Sequence, residues 1–167
     1  NELNIKKKEI ELKTGKKINV VAVSAKNINK KRQFKVNKKI FFKNPLEIFN
    51  KKKVDILFEA IGLSDGISKK VVETALKKKI HVITPNKALI SKHWNELAKI
   101  AEHNNVNLEF EASVAGGIPI LRTIKEGLAT NKISKIYGIL NGTCNYILSE
   151  MEISKDSFSN RRFLIPS

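Results

Sequence analysis

Short apolar runs alternate along this chain with segments whose apolar residues recur at helical spacing. We predict strands at residues 18–24, 54–61, 80–84 and 108–112. Between the later strands, two helical stripes are predicted, one formed by Ile67, Val71, Ala75 and Leu76 and the other by Trp94, Leu97, Ala98 and Ala101. The strand-and-helix units repeat every 25–30 residues or so, roughly the length that a parallel crossover connection needs. The pattern therefore predicts an α/β fold built on a parallel sheet.

The ends of these elements can also be predicted from residue types. Residues 18–24 and 54–61 are almost continuously apolar, which is typical of strands buried on both faces. Gly15 should terminate a helix over residues 1–12, and Ser64 or Asp65 should cap the helix that follows the second strand. After the last helix, residues 133–140 are predicted to form a strand that opens a second region.

Residues 109–128 (EFEASVAGGIPILRTIKEGL) combine a strand, a turn and a helix start. The turn lies at Ala115, Gly116 and Gly117, and Pro119 suits the first turn of a helix because it has no N–H to leave unpaired. A helical stripe then follows at Leu121, Ile124 and Leu128. Such a strand–turn–helix unit can present backbone groups to a small ligand or an ion. On geometry alone, an ordinary tight turn fits equally well.

Composition narrows the class of protein. The 167 residues suffice for a hydrophobic core without disulfides. The single cysteine, Cys144, rules out an internal disulfide and a cysteine-rich zinc site, and it fits a reducing compartment such as the cytoplasm. No apolar stretch is long enough for a membrane span, so no membrane association is expected.

The net charge of +16 raises the alternative of a basic nucleic-acid-binding module. Almost all of the positive charge comes from lysine, whereas arginine is favoured for bidentate contacts with bases and phosphates. The lysines are also spread along surface-like stretches without interleaved aromatic residues. We therefore expect no nucleic-acid partner, and rank this alternative third.

Three motifs, in order, carry a resemblance to a known family. They are TPNKAL at residues 84–89, EASVAGGIPI at residues 111–120 and NGTCNYIL at residues 141–148. Together they closely resemble homoserine dehydrogenase over roughly residues 10–156. The resemblance implies a partial Rossmann-type NAD(P)-binding domain at residues 1–112 and the beginning of an α+β substrate-binding and dimerisation domain at residues 113–167. The glycine fingerprint G-x-G-x-x-G is absent, so we expect the first strand and the phosphate loop to lie upstream of Asn1.

The resemblance also implies an activity. Members interconvert L-homoserine and L-aspartate 4-semialdehyde with NADP or NAD, in threonine, methionine and isoleucine biosynthesis. The implied partners are the small-molecule substrate and further copies of the chain, in a homodimer or homotetramer. After Asp156 the tail departs from the family pattern, and the downstream Asp and Lys that serve proton transfer are missing. We therefore expect these residues alone to be an inactive fragment of a cytoplasmic oxidoreductase.

The resemblance assigns roles to individual residues. Lys87 corresponds to the lysine near nicotinamide and substrate, and is the candidate catalytic residue, acting electrostatically. The implied cofactor-binding residues are Ala60, Ile61, Thr84, Asn86, Lys87, Gly142 and Thr143. A monovalent cation such as sodium is implied at Glu111, Val114, Gly116 and Ile118, where an irregular turn would release backbone carbonyls as oxygen ligands.

Cys144 supports the second-ranked function, a cysteine-dependent semialdehyde dehydrogenase. Such an enzyme needs a histidine base beside the thiol. His81 begins a predicted strand, whereas His93 and His103 lie in or beside a helix, so none is placed at the carboxyl end of a strand. A buried structural cysteine is the favoured interpretation, and no metal-like pair spacing occurs among the histidines.

Cofactor choice gives the first testable prediction. If residues 18–24 form the second Rossmann strand, its end carries Ser24-Ala25-Lys26 and not the carboxylate that would bind the ribose 2′-hydroxyl of NAD. The full natural chain, meaning the polypeptide in which this sequence occurs at its natural length, should use NADP at least as well as NAD. Steady-state kinetics with both cofactors test this. A ten-fold preference for NAD, about 1.4 kcal/mol in transition-state binding, would contradict it.

Overall fold

The structure is a computed structural model that describes residues 2–29, 36–138, 149 and 152. Within them the helices and strands, in chain order, are α1 (Glu2–Ile5), α2 (Lys7–Thr14), β1 (Val23–Ser24), β2 (Phe41–Phe42), α3 (Ile48–Lys51), β3 (Ile56–Phe58), α4 (Ile67–Lys77), β4 (His81–Ile83), α5 (Lys87–His103), β5 (Leu108–Glu109), α6 (Glu111–Val114) and α7 (Ile120–Arg122). Short 3₁₀ turns lie at Lys38–Ile40 and Pro45–Glu47, and a π-helical turn continues α7 over Thr123–Gly127.

The described strands form two parallel sheets. β1 pairs with β2, and β3, β4 and β5 pair in that order. Val82, at the middle of β4, lies opposite Leu57 on one side and Leu108 on the other. Helices α4 and α5 provide the two crossovers of the larger sheet, as parallel pairing requires. The predicted α/β class with a parallel sheet is confirmed.

The hydrophobic core lies between the larger sheet and its two crossover helices. The fully buried side chains include Val72 and Leu76 from α4, Leu89 and Leu97 from α5, and Val82 from β4. The two predicted helical stripes thus face the core. Trp94 departs from its stripe, since it is 40% exposed and its ring contacts Phe110 in a tilted arrangement, with a centroid distance of 4.6 Å.

The prediction that the early strands are buried on both faces is wrong. Ile56 and Phe58 of the second predicted strand are 54% and 66% exposed, whereas Leu57 between them is partly buried against the core. Successive side chains of a strand point to opposite faces, and α4 and α5 pack on the same one. The continuous apolar run therefore covers an exposed face as well as a buried one.

The first four predicted strands are all shorter than expected, and the described part of the fifth is not a strand. In the first, only Val23–Ser24 is a strand, and Val20 and Val21 are exposed. The strand predicted at residues 108–112 ends at Glu109, because α6 begins at Glu111. Of the strand predicted at residues 133–140, the described residues 133–138 have no regular secondary structure. Apolar content indicated extended backbone there, but strand formation also requires a paired neighbour.

The helix ends are partly as predicted. Gly15 follows α2 in the left-handed conformation, with φ of 67°, which confirms it as the terminator. Neither Ser64 nor Asp65 caps α4; the N-cap is Gly66, and no side chain bonds there. The carboxylate of Asp65 instead forms hydrogen bonds with two side chains of α5, Lys92 Nζ at 2.7 Å and His93 Nε2 at 2.9 Å. The Lys92 ammonium, together with the Ser64 hydroxyl and His93, holds the pKa of Asp65 well below its usual range.

The chain divides into two compact units, Asn1–Phe110 and Glu111–Ser167. The first contains both sheets and the core. The described part of the second contains α6, a turn at Gly116 and Gly117, α7 and the π-helical turn. Pro119 directly precedes α7 as its N-cap residue, close to the predicted first turn. In the described part of the chain, every helix is too short or too polar to cross a lipid bilayer.

Candidate functional site

The candidate site in the first unit lies at the carboxyl ends of β3 and β4. Ligands of open parallel sheets bind outside this edge. The ladder continues one residue beyond each strand, since the Glu59 amide donates to Ile83 O at 2.9 Å and the Thr84 amide donates to Glu109 O at 2.9 Å. Glu59 and Thr84 are thereby aligned side by side on neighbouring strands.

Three buried polar side chains form a connected group at this edge, the Glu59 cluster, consisting of Glu59, Thr84 and Asn86. They are 2%, 1% and 5% exposed. The Thr84 hydroxyl donates to Glu59 Oε2 at 2.6 Å, and the Ile61 amide donates to Oε1 at 2.7 Å. Asn86 Nδ2 lies 3.4 Å from the same Oε1. The carboxylate thus accepts bonds from its own loop and from the next strand's end.

Asn86 links the cluster to the start of α5. Its Oδ1 accepts a hydrogen bond from the Leu89 amide at 3.1 Å, which is the geometry of an N-cap. Its Nδ2 also donates to Leu63 O at 2.9 Å, and its backbone amide donates to the Thr84 hydroxyl at 3.0 Å. The first residue of α5 is Lys87, which is exposed. The cluster therefore sets the position from which Lys87 projects.

The predicted cofactor residues fall into two groups. Thr84 and Asn86 are buried, and their side chains are committed to the cluster. Ala60, Ile61 and Lys87 are exposed around it and are free to meet a ligand. Lys26 is likewise exposed, two residues beyond the end of β1. Gly142 and Thr143 lie outside the described residues, as does Cys144.

Sequence reasoning placed the backbone of Glu59 beside the cofactor but did not include its carboxylate among the site residues. A carboxylate at the end of an apolar strand is compatible either with ligand binding or with a bond to its own loop. The structure contains the loop bond, to Ile61, and also the bond to Thr84 across the strands. The available signal was an acidic residue directly after the apolar residues Ile56, Leu57 and Phe58. A carboxylate buried at the end of a strand loses contact with water and therefore needs hydrogen-bond donors from the protein.

The candidate cation loop lies in the second unit. The Ile118 amide donates to Ala115 O at 2.8 Å, and Gly117 has a positive φ of 83°, so the chain turns sharply here. The carboxylate of Glu111 accepts hydrogen bonds from the Leu121 and Arg122 amides at 2.9 and 3.0 Å. Glu111 thus caps α7 through both carboxylate oxygens, each of which keeps a second acceptor site.

Two further observations bear on this loop. Val114 is the last residue of α6, and the last carbonyls of a helix have no partner within it. Ile118 O accepts from the Ile120 amide at 2.8 Å, which leaves its second acceptor site. Among the described residues, no group of three or more His, Cys, Asp or Glu side chains could hold a metal. A cation here would therefore depend mainly on backbone oxygens.

The described histidines form no hydrogen bond with the Glu59 cluster. His81 begins β4, at the opposite end of the strand from Thr84, and its Nδ1 accepts from the Asn107 amide at 3.0 Å. His93 bonds Asp65, and His103 is the last residue of α5. The histidine base that a cysteine-dependent mechanism needs is therefore not found at the described edge.

Comparison with known proteins identifies the family. Residues 3–111 match the family model described as "Homoserine dehydrogenase, NAD binding domain". The chain belongs to the homoserine dehydrogenase family. Residues 119–161 match a second model, described as "Homoserine dehydrogenase". The predicted resemblance is confirmed, and the comparisons support neither of the two alternative functions.

Curated relatives give the extent of the likeness. The chain is 40% identical over 152 residues to a homoserine dehydrogenase of Neisseria gonorrhoeae, covering 91% of this chain and 34% of the relative. It is 38% identical over 141 residues to that of Bacillus subtilis, covering 84% and 32%. The chain thus spans about a third of the length of the curated relatives that it matches.

Solved structures agree with this family assignment. A homoserine dehydrogenase from Thiobacillus denitrificans superposes with a TM-score of 0.81 at 34% identity, covering 95% of this chain and 36% of that one. The S. aureus homoserine dehydrogenase at pH 7.5 gives a TM-score of 0.72 at 35% identity, covering 95% and 37%. The Rossmann-like α/β fold of this homoserine dehydrogenase segment is therefore confirmed.

The Thr84 hydroxyl generates a prediction about stability. It donates to Glu59 and accepts from the Asn86 amide, so Thr84→Val should leave a buried acceptor and a buried donor unsatisfied. We expect the free energy of unfolding to fall by about 1–3 kcal/mol, measured by urea denaturation of the full natural chain. Thr84→Ser, which keeps the hydroxyl, is the matched control. A loss in Thr84→Ser as large as that in Thr84→Val would contradict the prediction, because Thr84→Ser keeps the hydroxyl and removes only the methyl group.

Proposed function

We propose that the full natural chain carrying this sequence catalyses the reversible NAD(P)-dependent interconversion of L-homoserine and L-aspartate 4-semialdehyde. The proposal is supported by the family match, which includes an NAD-binding domain over residues 3–111. The single observation that carries it at residue level is Lys87, exposed at the start of α5 and fixed there by the Glu59 cluster.

Lys87 occupies a position that helix stability alone disfavours. The N-terminus of a helix carries a partial positive charge, so a lysine there costs about 0.3–1 kcal/mol where an acidic residue would be favourable. The first turn of α5 contains no acidic residue that would compensate it. Departures from local rules of this kind are expected at functional sites. A ligand with a negative or developing negative charge would make use of both the lysine and the helix end.

In this reaction the cofactor would transfer the hydride, and the protein would position the reactants and stabilise charge. A bound nicotinamide ring supplies the acceptor or donor of the hydride. Oxidation of homoserine removes a hydride from the carbinol carbon and a proton from its oxygen. The Lys87 ammonium, held beside that oxygen, would stabilise the developing negative charge and assist proton movement. Ala60 and Ile61, exposed at the neighbouring strand end, would provide the backbone surface against which the cofactor lies.

The proposal extends to the domain division, the cation loop and the assembly of the chain. Residues 1–112 would form the NAD(P)-binding part and residues 113–167 the beginning of the substrate-binding and dimerisation part, with Gly142 and Thr143 completing the cofactor site. Carbonyls of Glu111, Val114, Gly116 and Ile118 would bind a monovalent cation such as sodium. The active form would be a homodimer or homotetramer in the cytoplasm that serves threonine, methionine and isoleucine biosynthesis.

The activity itself is tested with the full natural chain. It should oxidise L-homoserine with NADP or NAD in the absence of phosphate, detected as absorbance of the reduced cofactor. Cys144→Ser should retain most of this rate, because hydride transfer from an alcohol carbon requires no thiolate. Phosphate-dependent oxidation of the semialdehyde that is abolished in Cys144→Ser would overturn the proposal in favour of the cysteine-dependent enzyme.

Lys87 is tested against another lysine of the same helix. Lys87→Ala should lower kcat for homoserine oxidation by about 10²-fold or more, as expected for the loss of a positioned charge. Lys99→Ala is the matched control, because Lys99 is also exposed on α5 but lies three turns further along. Comparable losses in both variants would show that Lys87 acts only as a surface charge.

A further inference from the structure

Glu59 is an unusual residue for a structural position. Its carboxylate is 2% exposed, and the three donors that bond it are neutral: a hydroxyl, a backbone amide and a side-chain amide. Burial of a charged group is costly even when it is hydrogen-bonded, and an apolar residue of similar volume often stabilises such a site better. Fold stability alone therefore does not account for a carboxylate here.

Glu59 helps to define the orientation of the Asn86 amide. A carboxylate only accepts hydrogen bonds, so it selects the Nδ2 side of the Asn86 amide and turns Oδ1 towards the Leu89 amide. Reversing the amide would place two acceptors together and leave the Leu89 amide facing a donor. The Leu63 carbonyl accepts from the same Nδ2 at 2.9 Å, so the carboxylate and this carbonyl together specify which end of Asn86 caps α5.

We propose that Glu59 is a positioning residue that acts through Asn86 to fix the first turn of α5, and with it the Lys87 ammonium. The proposal rests on the proposed function for the role of Lys87, but its structural half is independent of any activity. Lys87 follows Asn86 directly. The backbone amide of Asn86 donates to the Thr84 hydroxyl, and that hydroxyl in turn donates to Glu59. Glu59 therefore bonds the side chain of the residue before the lysine and, through Thr84, helps to hold its backbone.

The structural half is tested by amide hydrogen exchange in the full natural chain. Glu59→Met removes the acceptors while keeping a similar volume, so protection of the Leu89 amide should fall by about ten-fold or more, because its cap is released. Protection of the Leu97 amide, in the middle of α5, should be unchanged relative to wild type. Unchanged protection at Leu89 would overturn the proposal whatever the enzyme's activity.

The catalytic half is tested by a double-mutant cycle. Glu59→Met should lower kcat by about ten-fold or more, since small misplacements of a catalytic group can cost 10²-fold. In the Lys87→Ala background the same change should have little further effect, because Glu59 acts through Lys87. Additive losses would assign Glu59 a purely structural role. Leu97→Ala, a core change away from the cluster, should be additive with Lys87→Ala and serves as the control for general destabilisation.

Two additional variants keep the test decisive. Glu59→Gln retains an oxygen for Ile61 and Asn86, so it should recover most of the exchange protection and of kcat. If Glu59→Met does not fold, Asn86→Ser retains a capping oxygen but loses the donor to Glu59, and should reproduce the loss of kcat. Normal kcat in folded Asn86→Ser would overturn the proposal. If wild-type protein does not oxidise homoserine but exchange at Leu89 responds as expected, the proposed function fails while the structural role of Glu59 stands.

Discussion

Parallel pairing of β3, β4 and β5 brings the carboxyl ends of these strands to one edge of the sheet, and the polar side chains of this edge depend on it. The ladder continues to the Glu59 and Thr84 amides, so those two side chains leave the sheet next to each other. An antiparallel arrangement would send one of them to the far edge. The bond from Thr84 to Glu59, at 2.6 Å, is thus a consequence of strand direction as much as of residue type.

The same edge contains two electrostatic arrangements that stability alone disfavours. Glu59 is a carboxylate buried among neutral donors, and Lys87 is a cation at the positive end of a helix. Each costs free energy in isolation, and they are separated in the chain by a strand and a crossover helix. Asn86 connects them, because it bonds the carboxylate and caps the helix that the lysine begins. A buried polar network with every member satisfied is rigid, which is the property that a precisely placed charge requires.

Sequence patterns predicted the features that depend on local chemistry. The helical stripes of α4 and α5, the left-handed Gly15 and the parallel class follow from periodicity, residue type and unit length. Strand bounds and strand burial could not be predicted as well, because an apolar run at residues 54–61 is the same whether one face or both faces are covered. Cap assignment at Ser64 and Asp65 failed for a related reason. Asp65 has partners 27 and 28 residues away on α5, and nothing near it in the chain indicates them.

Glu59 shows where the limit of sequence reasoning lies within the site itself. Its residue type and its place after an apolar strand indicate only that a carboxylate needs donors. One of them, the Ile61 amide, is two residues away and could be anticipated. The other two are 25 and 27 residues away and are brought close by strand pairing.

Glu111 in the second unit likewise has partners that are distant in sequence, since the amides that it caps are 10 and 11 residues away. In both cases a carboxylate that looks like a ligand for a cofactor or a cation is occupied by backbone or side-chain donors. In our proposal, the groups that meet the cofactor and substrate in the first unit are the backbone at Ala60 and Ile61 and the ammonium of Lys87, and those that meet a cation in the second unit are the carbonyls of the glycine turn.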